Sequence, residues 1–254
     1  MFTYAELMEL EDLCKEDKRF EKYVERLKEE NNRLLTKVAH EIGNPLTIIY
    51  STIQLMESRN PEIAKEKYWT QLTQDVKELS LLLRDYSDYN SCDSLNITKE
   101  DLSEVLQNLV QSFEPVFIHH SIDWSFQIPQ DMVPVMASYL CDKIKLKQVF
   151  VNIFKNALEA SAENGRIWLC VPPKGSVLDC GIQGEDSIAI QIGNTGVPIK
   201  KNELKNLFSP SSSIKCGGCG IGLSISNKIA EAHGGKISVS SNEESTIFTV
   251  CLPL

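Results

Sequence analysis

Four clusters in this chain combine residue types and spacings that could do chemistry. The first is His40, followed by Glu41, Asn44 and Pro45. Leu35, Val38, Ile42, Leu46, Ile49, Ile53 and Met56 recur at spacings of three and four, so they form one apolar stripe of a helix. At the helical turn angle His40 lies roughly 160° from the centre of that stripe. Its imidazole should therefore stand in solvent, with the Glu41 carboxylate next to it and the Asn44 amide one turn on. An exposed neutral imidazole is a nucleophile, and a neighbouring carboxylate can orient it and take its proton. A solvated surface histidine is the plainer reading of the position alone. Pro45 adds to the case: a proline inside a helix removes a hydrogen bond and crowds the carbonyl of Glu41, yet the stripe runs on through it to Met56.

The second cluster is Asn152 and Asn156, four residues apart and so on one face of an amphipathic run. An amide oxygen there could serve a hard cation such as Mg²⁺, although paired asparagines on a solvent face are common. The third is Gly193-Asn-Thr-Gly196 at the end of a strand-like run, where a polar side chain and a glycine would let a flat base edge approach. Taken alone, the segment is more plainly read as a simple turn. The fourth is Gly217 to Gly222, glycines opening a helix whose free N–H groups and dipole would favour a phosphate.

These clusters need two kinds of scaffold. Residues 24–90 read as a helical hairpin, with a turn at Arg59-Asn-Pro61 and a second stripe through Trp69, Leu72, Val76, Leu79, Leu82 and Tyr86. A lone hairpin cannot cover both stripes, so two copies are expected to pair into a four-helix bundle. Residues 1–23 form a short N-terminal helical segment and 90–97 a linker. From 95 to 254 helix-like runs (102–113, 142–163, 200–207, 221–233) mix with strand-like runs (122–128, 166–171, 187–192, 236–240, 246–252), and several strands follow one another directly. The pattern predicts a mixed α/β sandwich, not a doubly wound parallel sheet, and Thr98 is expected to cap the first of its helices.

The formal net charge of −9 argues against a nucleic-acid partner. No apolar run is long enough to cross a bilayer, and the N-terminus lacks a signal-peptide core, so a cytoplasmic protein is expected. The eight cysteines are scattered, which in that compartment predicts free thiols. Cys216 and Cys219 form a C-x-x-C without a second pair for zinc.

Together the clusters resemble the motifs of two-component sensor histidine kinases. Val38 to Thr47 resembles the H box, with Gly43 where Arg is usual. Asp142 to Ser161 resembles the N box, in the style of sporulation-type and nitrogen-regulation-type kinases. Gly193 to Ile199 resembles the first glycine box, with Asn194 in place of Asp and Pro198 in place of the second Gly. Gly218-x-Gly220-x-Gly222-Leu223 matches the second glycine box. Leu207-Phe-Ser-Pro210 and Lys215 match parts of the F box, with Ser211 and Ser212 where paired Phe are usual.

The resemblance implies a hairpin that dimerises into a four-helix bundle, followed by a GHKL (Bergerat) α/β sandwich that binds ATP. It implies that His40 is phosphorylated, that Glu41 is the general base, and that Asn44 orients the imidazole and the water of a phosphatase reaction. Asn156 would hold Mg²⁺. Asn152, Lys155, Asn194, Gly196, Lys215, Gly218, Gly220, Gly222 and Leu223 would contact ATP. The phosphoryl group would pass to an aspartate of a response-regulator receiver domain. Residues 1–28 are short for a sensor domain, so input is expected from a separate protein, a small N-terminal element or cell conditions. Asn194, Pro198 and the serine pair leave a rival reading, a phosphotransfer or scaffold dimer without ATP chemistry. A relative of the topoisomerase and chaperone ATPases would leave the H box unexplained.

Overall fold

A computed structural model describes residues 17–92, 94–173, 187–209 and 221–254. The chain forms two compact units that divide between Ser91 and Cys92.

The first unit is a helical hairpin. Helix α1 spans Lys18–Arg59 and starts on Asp17, whose carboxylate accepts from the Arg19 N–H at 2.8 Å. It passes through Pro45 without ending. The Pro45 ring leaves the Glu41 carbonyl without its helical donor, and the Thr47 hydroxyl bonds back to the Gly43 carbonyl at 2.9 Å. Pro61–Lys65 forms a single 3₁₀ turn, so helix α2, Lys67–Asn90, begins about one turn later than the sequence pattern predicts. Leu46, Ile53 and Val76 are buried between the helices, with Tyr50, Trp69 and Leu83 packed against them. Glu57 ties the hairpin by accepting from the Trp69 indole at 2.8 Å. The rest of the stripes stays uncovered: Val38, Ile42, Ile49, Met56, Leu72, Leu79, Leu82 and Tyr86 are each between 41% and 49% exposed, which a hairpin alone cannot remedy.

The second unit is an α/β sandwich. A five-stranded sheet runs in the order β2–β4–β5–β7–β6 (Asp123–Gln127, Arg166–Cys170, Ser187–Asn194, Thr246–Pro253, Lys236–Ser241). Only the β2–β4 pair is parallel. A small antiparallel pair joins β1, Thr98–Glu100, to β3, Tyr139–Cys141. The long helices are α3 (Leu102–His119), α5 (Lys143–Ala160) and α7 (Gly222–Ala232); α4 (Val133–Met136) and α6 (Lys201–Leu204) are single turns. Leu106, Leu109, Leu146, Val149, Ile153 and Ile229 close over Ile167, Ile188, Ile190 and Val250 of the sheet.

Three expectations are corrected here. Thr98 is in a strand, and Asp101 caps α3 by accepting from the N–H groups of Ser103 and Glu104. Helix α3 continues past Phe113 and through Pro115 to His119, because Phe117 is fully buried against Phe113 and Phe154. Burial of such a ring is worth about 1.5–3 kcal/mol, comparable with the cost of the proline. Cys92, Cys141 and Cys170 are free thiols, but Cys251 on β7 is disulfide-bonded.

Candidate functional site

On α1 the exposed face carries His40, Glu41 and Asn44. Ala39, its neighbour, is buried, so the backbone beside the imidazole is anchored. The Glu41 carboxylate lies 3.8 Å from Lys37 Nζ, and both side chains are well exposed. A pair of that kind contributes little to stability, which leaves the carboxylate available to a ring nitrogen. A groove of about 480 Å³ opens between the two helices of the hairpin. His40, Gly43, Asn44 and Thr47 line it from α1, and Lys77 and Arg84 from α2. Gly43 leaves this wall bare: a Cβ there would meet nothing within 4 Å.

In the second unit the site is built along one face of α5, where Asn152, Asn156 and Ala160 follow at intervals of four. That row is about 12 Å long at 1.5 Å per residue. At one end Asn152 Nδ2 donates to the Gly222 carbonyl at 3.1 Å and to Ser226 Oγ at 3.3 Å. This staples the first turn of α7 to α5, so Asn152 acts by positioning the turn. Ile221, the N-cap, offers no side-chain acceptor to the first N–H groups of α7. Those donors have no side-chain cap, and the helix dipole adds partial positive charge there. Leu223 follows Gly222 in that turn, half-buried.

In the middle of the row Asn156 Nδ2 donates back to the Asn152 carbonyl at 2.7 Å. Its only donor group is thereby engaged, and the amide oxygen keeps no partner among the described residues. An oxygen held in this way suits a hard cation such as Mg²⁺, which otherwise takes phosphate and water oxygens. Lys155 is exposed beside it and makes no ion pair among the described residues.

At the far end Gly196 packs on the last turn of α5. A Cβ there would lie 2.0 Å from the Ala160 carbonyl oxygen, so only glycine fits. The Val197 N–H donates to that oxygen at 3.1 Å. Asn194, two residues before, is 1% exposed, and its Nδ2 has no hydrogen-bond partner among the described residues. A buried unpaired donor is rare and costly. Along the row stand an uncapped helix start at one end, an amide oxygen without a partner among the described residues in the middle, and a buried amide at the other end. Lys215, Gly218 and Gly220, with Ser211, Ser212, Cys216 and Cys219, lie outside the described residues.

One residue acts otherwise than its sequence position suggests. His233 stands at the end of α7, where a positive charge would suit the helix dipole. Instead its Nδ1–H donates to the Ile229 carbonyl at 2.7 Å, while Nε2 accepts from the Asp142 N–H at 3.0 Å. The ring is a neutral clamp between the end of α7 and the start of α5. Asp142 also caps α5, accepting from Ile144 and Lys145, and holds the Asn96 N–H at 2.9 Å. Burial raises its carboxyl pKa, but those three N–H bonds outweigh burial and hold it below the ordinary value. Neither nitrogen of His233 is legible as a structural ligand from sequence, since both partners are backbone atoms.

Among the described residues, no group of three or more His, Cys, Asp or Glu side chains could hold a metal ion, and no helix is long and apolar enough to cross a membrane.

Known proteins match both units. Residues 30–95 match the His Kinase A (phospho-acceptor) domain, and residues 141–254 match the histidine kinase-, DNA gyrase B-, and HSP90-like ATPase family. Sporulation kinase E of Bacillus subtilis is 27% identical over 87% of this chain and 28% of its own length. The sensor histidine kinase YclK of the same species is 27% identical over 91% of this chain and 48% of its own. The chain thus spans between about a quarter and a half of these relatives. Among solved structures, the catalytic domain of histidine kinase ThkA superposes with a TM-score of 0.53 at 28% identity, covering 62% of this chain and 97% of that one. ThkA in complex with its response regulator TrrA gives 0.61 at 28% identity, over 91% of this chain and 66% of that one. With a phospho-acceptor hairpin and an ATPase-type sandwich joined in one chain, this protein belongs to the two-component sensor histidine kinases.

Proposed function

We propose that the chain is an ATP-dependent histidine autokinase whose phosphoryl acceptor is His40. The observation that carries this is the conjunction of two sites in one chain. One is an exposed imidazole beside a carboxylate on a hairpin. The other is a row of amides on α5 that runs from an uncapped helix start to a buried, unsatisfied Asn194.

In the reaction a ring nitrogen of His40 attacks the γ-phosphorus in line with the bond to the β-phosphate bridging oxygen. The N–P bond forms, the P–O bond breaks, and ADP leaves; Glu41 accepts the proton from the other ring nitrogen. Most of the rate comes from positioning and charge neutralisation. Asn194 and Gly196 seat the base. Gly222 and Leu223, with Gly218, Gly220 and Lys215 of the preceding segment, receive the phosphates, and Lys155 adds positive charge. Asn152 holds the phosphate turn, and Asn156 is the protein's oxygen ligand to Mg²⁺, which would neutralise the phosphate oxygens.

Residues 24–90 form the dimerisation and phosphotransfer hairpin and 95–254 the ATP-binding domain; residues 1–16 of the N-terminal segment lie outside the described residues. A second copy covers the uncovered apolar stripes, giving a homodimeric four-helix bundle. A response-regulator receiver domain takes the phosphoryl group at the groove beside His40, where Lys77 and Arg84 complement its acidic site. Asn44, in the same groove, positions the water of a phosphatase reaction. With ATP as the donor, the protein works in the cytoplasm.

Incubation of the protein with γ-labelled ATP and Mg²⁺ tests the reading. Acid-labile, base-stable label on the chain supports the kinase. A protein that takes up no label from ATP, yet accepts phosphate from a phosphorylated regulator, would establish the scaffold reading instead.

A further inference from the structure

Asn194 ends β5 with 1% of its surface exposed and its Nδ2 without an acceptor among the described residues. Its register partner on β7 is Thr246, also buried. The Thr246 hydroxyl lies 2.7 Å from Ser241 Oγ, and either can be the donor. Ser241 Oγ itself accepts from the Ile199 N–H at 2.9 Å. Asn194 thus has beside it on the sheet a pair of hydroxyls that can each present a donor or an acceptor.

That ambivalence bears on which base the site takes. A 6-aminopurine offers an amine donor beside a ring-nitrogen acceptor. A 6-oxopurine offers a carbonyl acceptor beside a ring N–H donor, the same two positions with polarity reversed. A carboxylate only accepts and would set an oxygen against the 6-oxo group. An amide carries both polarities, and a half-turn about its terminal torsion, which is broad and nearly two-fold, exchanges them. The unpaired Nδ2 of Asn194 requires an acceptor from any ligand that fills the site. The ring nitrogen of adenine provides one, and so does the carbonyl of a 6-oxopurine.

We propose that Asn194 makes the base subsite permissive, so that the protein takes 6-oxopurine nucleotides alongside adenine nucleotides. This rests on the nucleotide-site reading given above. It extends that reading to specificity, which is set by the amide of a single residue.

Calorimetry on the full chain with Mg²⁺, using ADP and inosine diphosphate as probes, tests it. Wild type should bind inosine diphosphate within about tenfold of ADP. Asn194→Asp should widen that ratio by about tenfold or more, because the charged acceptor favours the amine and repels the carbonyl. Should the buried carboxylate prevent folding, Asn194→Ala gives a second reading: both affinities should fall together, leaving their ratio near that of wild type. Wild type rejecting inosine diphosphate by more than a hundredfold while binding ADP overturns the inference alone. So does an unchanged ratio in a folded Asn194→Asp protein, or an Asn194→Ala protein that loses ADP only. Failure of ADP itself to bind overturns the nucleotide site and the inference with it.

Discussion

Asn152 and Asn156 look alike in sequence but are bonded differently, and under the proposed function alanine at each should separate stability from ligand binding. Asn152→Ala removes two hydrogen bonds, to the Gly222 carbonyl and to Ser226 Oγ. At about 0.5–1.5 kcal/mol each, less about 0.6 kcal/mol for the better helix propensity of alanine, the net loss is about 0.4–2.4 kcal/mol, centred near 1.4. For a domain of this size the central value lowers the melting temperature by roughly 3–6 °C. Asn156→Ala removes one bond to a carbonyl that keeps its place in the helix ladder, and the propensity gain offsets most of it. Its melting temperature should stay within about 2 °C of wild type. Nucleotide binding should show the reverse contrast. Asn156→Ala should lose the Mg²⁺-dependent part of its ATP affinity, while Asn152→Ala should weaken binding with and without Mg²⁺, through a loosened phosphate turn. Thermal unfolding and calorimetry, each with and without Mg²⁺, give all four comparisons. A destabilised Asn156→Ala that retains Mg²⁺ dependence, or an Asn152→Ala as stable as wild type, would refute the division of labour.

The exposed stripe from Val38 to Met56 and its counterpart on α2 should be covered in solution, so light scattering should give a dimer at micromolar concentration; a stable monomer would contradict the bundle. Gly43→Ala should stabilise the hairpin by about 0.5–1 kcal/mol, since a Cβ there meets nothing and glycine is a poor helix former; a loss of stability in thermal unfolding would show that the groove wall needs glycine. The depressed Asp142 carboxyl contributes stability that is present above its unfolded pKa of about 4 and is lost as pH falls through its lower folded value. Unfolding measured from pH 6 down to 2 should therefore show an acid limb that Asp142→Asn flattens.

Much of this was legible in the sequence because local and global signals agree. The period-3.6 stripe through Pro45 put His40 on an open face, and the four-residue spacing put Asn152 and Asn156 together. What was not legible depends on contacts distant in sequence. Thr98 looks like a cap only until its pairing with Cys141 is seen. The helical run ending at Phe113 looks complete before Pro115 until Phe117 is found packed against Phe154 of α5. Tyr139–Cys141 is too short to show a period, and His233 is bound by backbone atoms that no side-chain pattern reveals. Gly196 illustrates the middle case. Its glycine is visible, but the reason for it, the carbonyl of Ala160, is not.

The central claim is that His40 carries the phosphoryl group. The most direct measurement is radiolabel uptake from γ-labelled ATP by wild type and by His40→Gln, with dimerisation and ATP affinity checked in both. The variant replaces one exposed side chain, so it should dimerise and bind ATP as wild type does, yet take up no label. Undiminished label on His40→Gln would contradict the account.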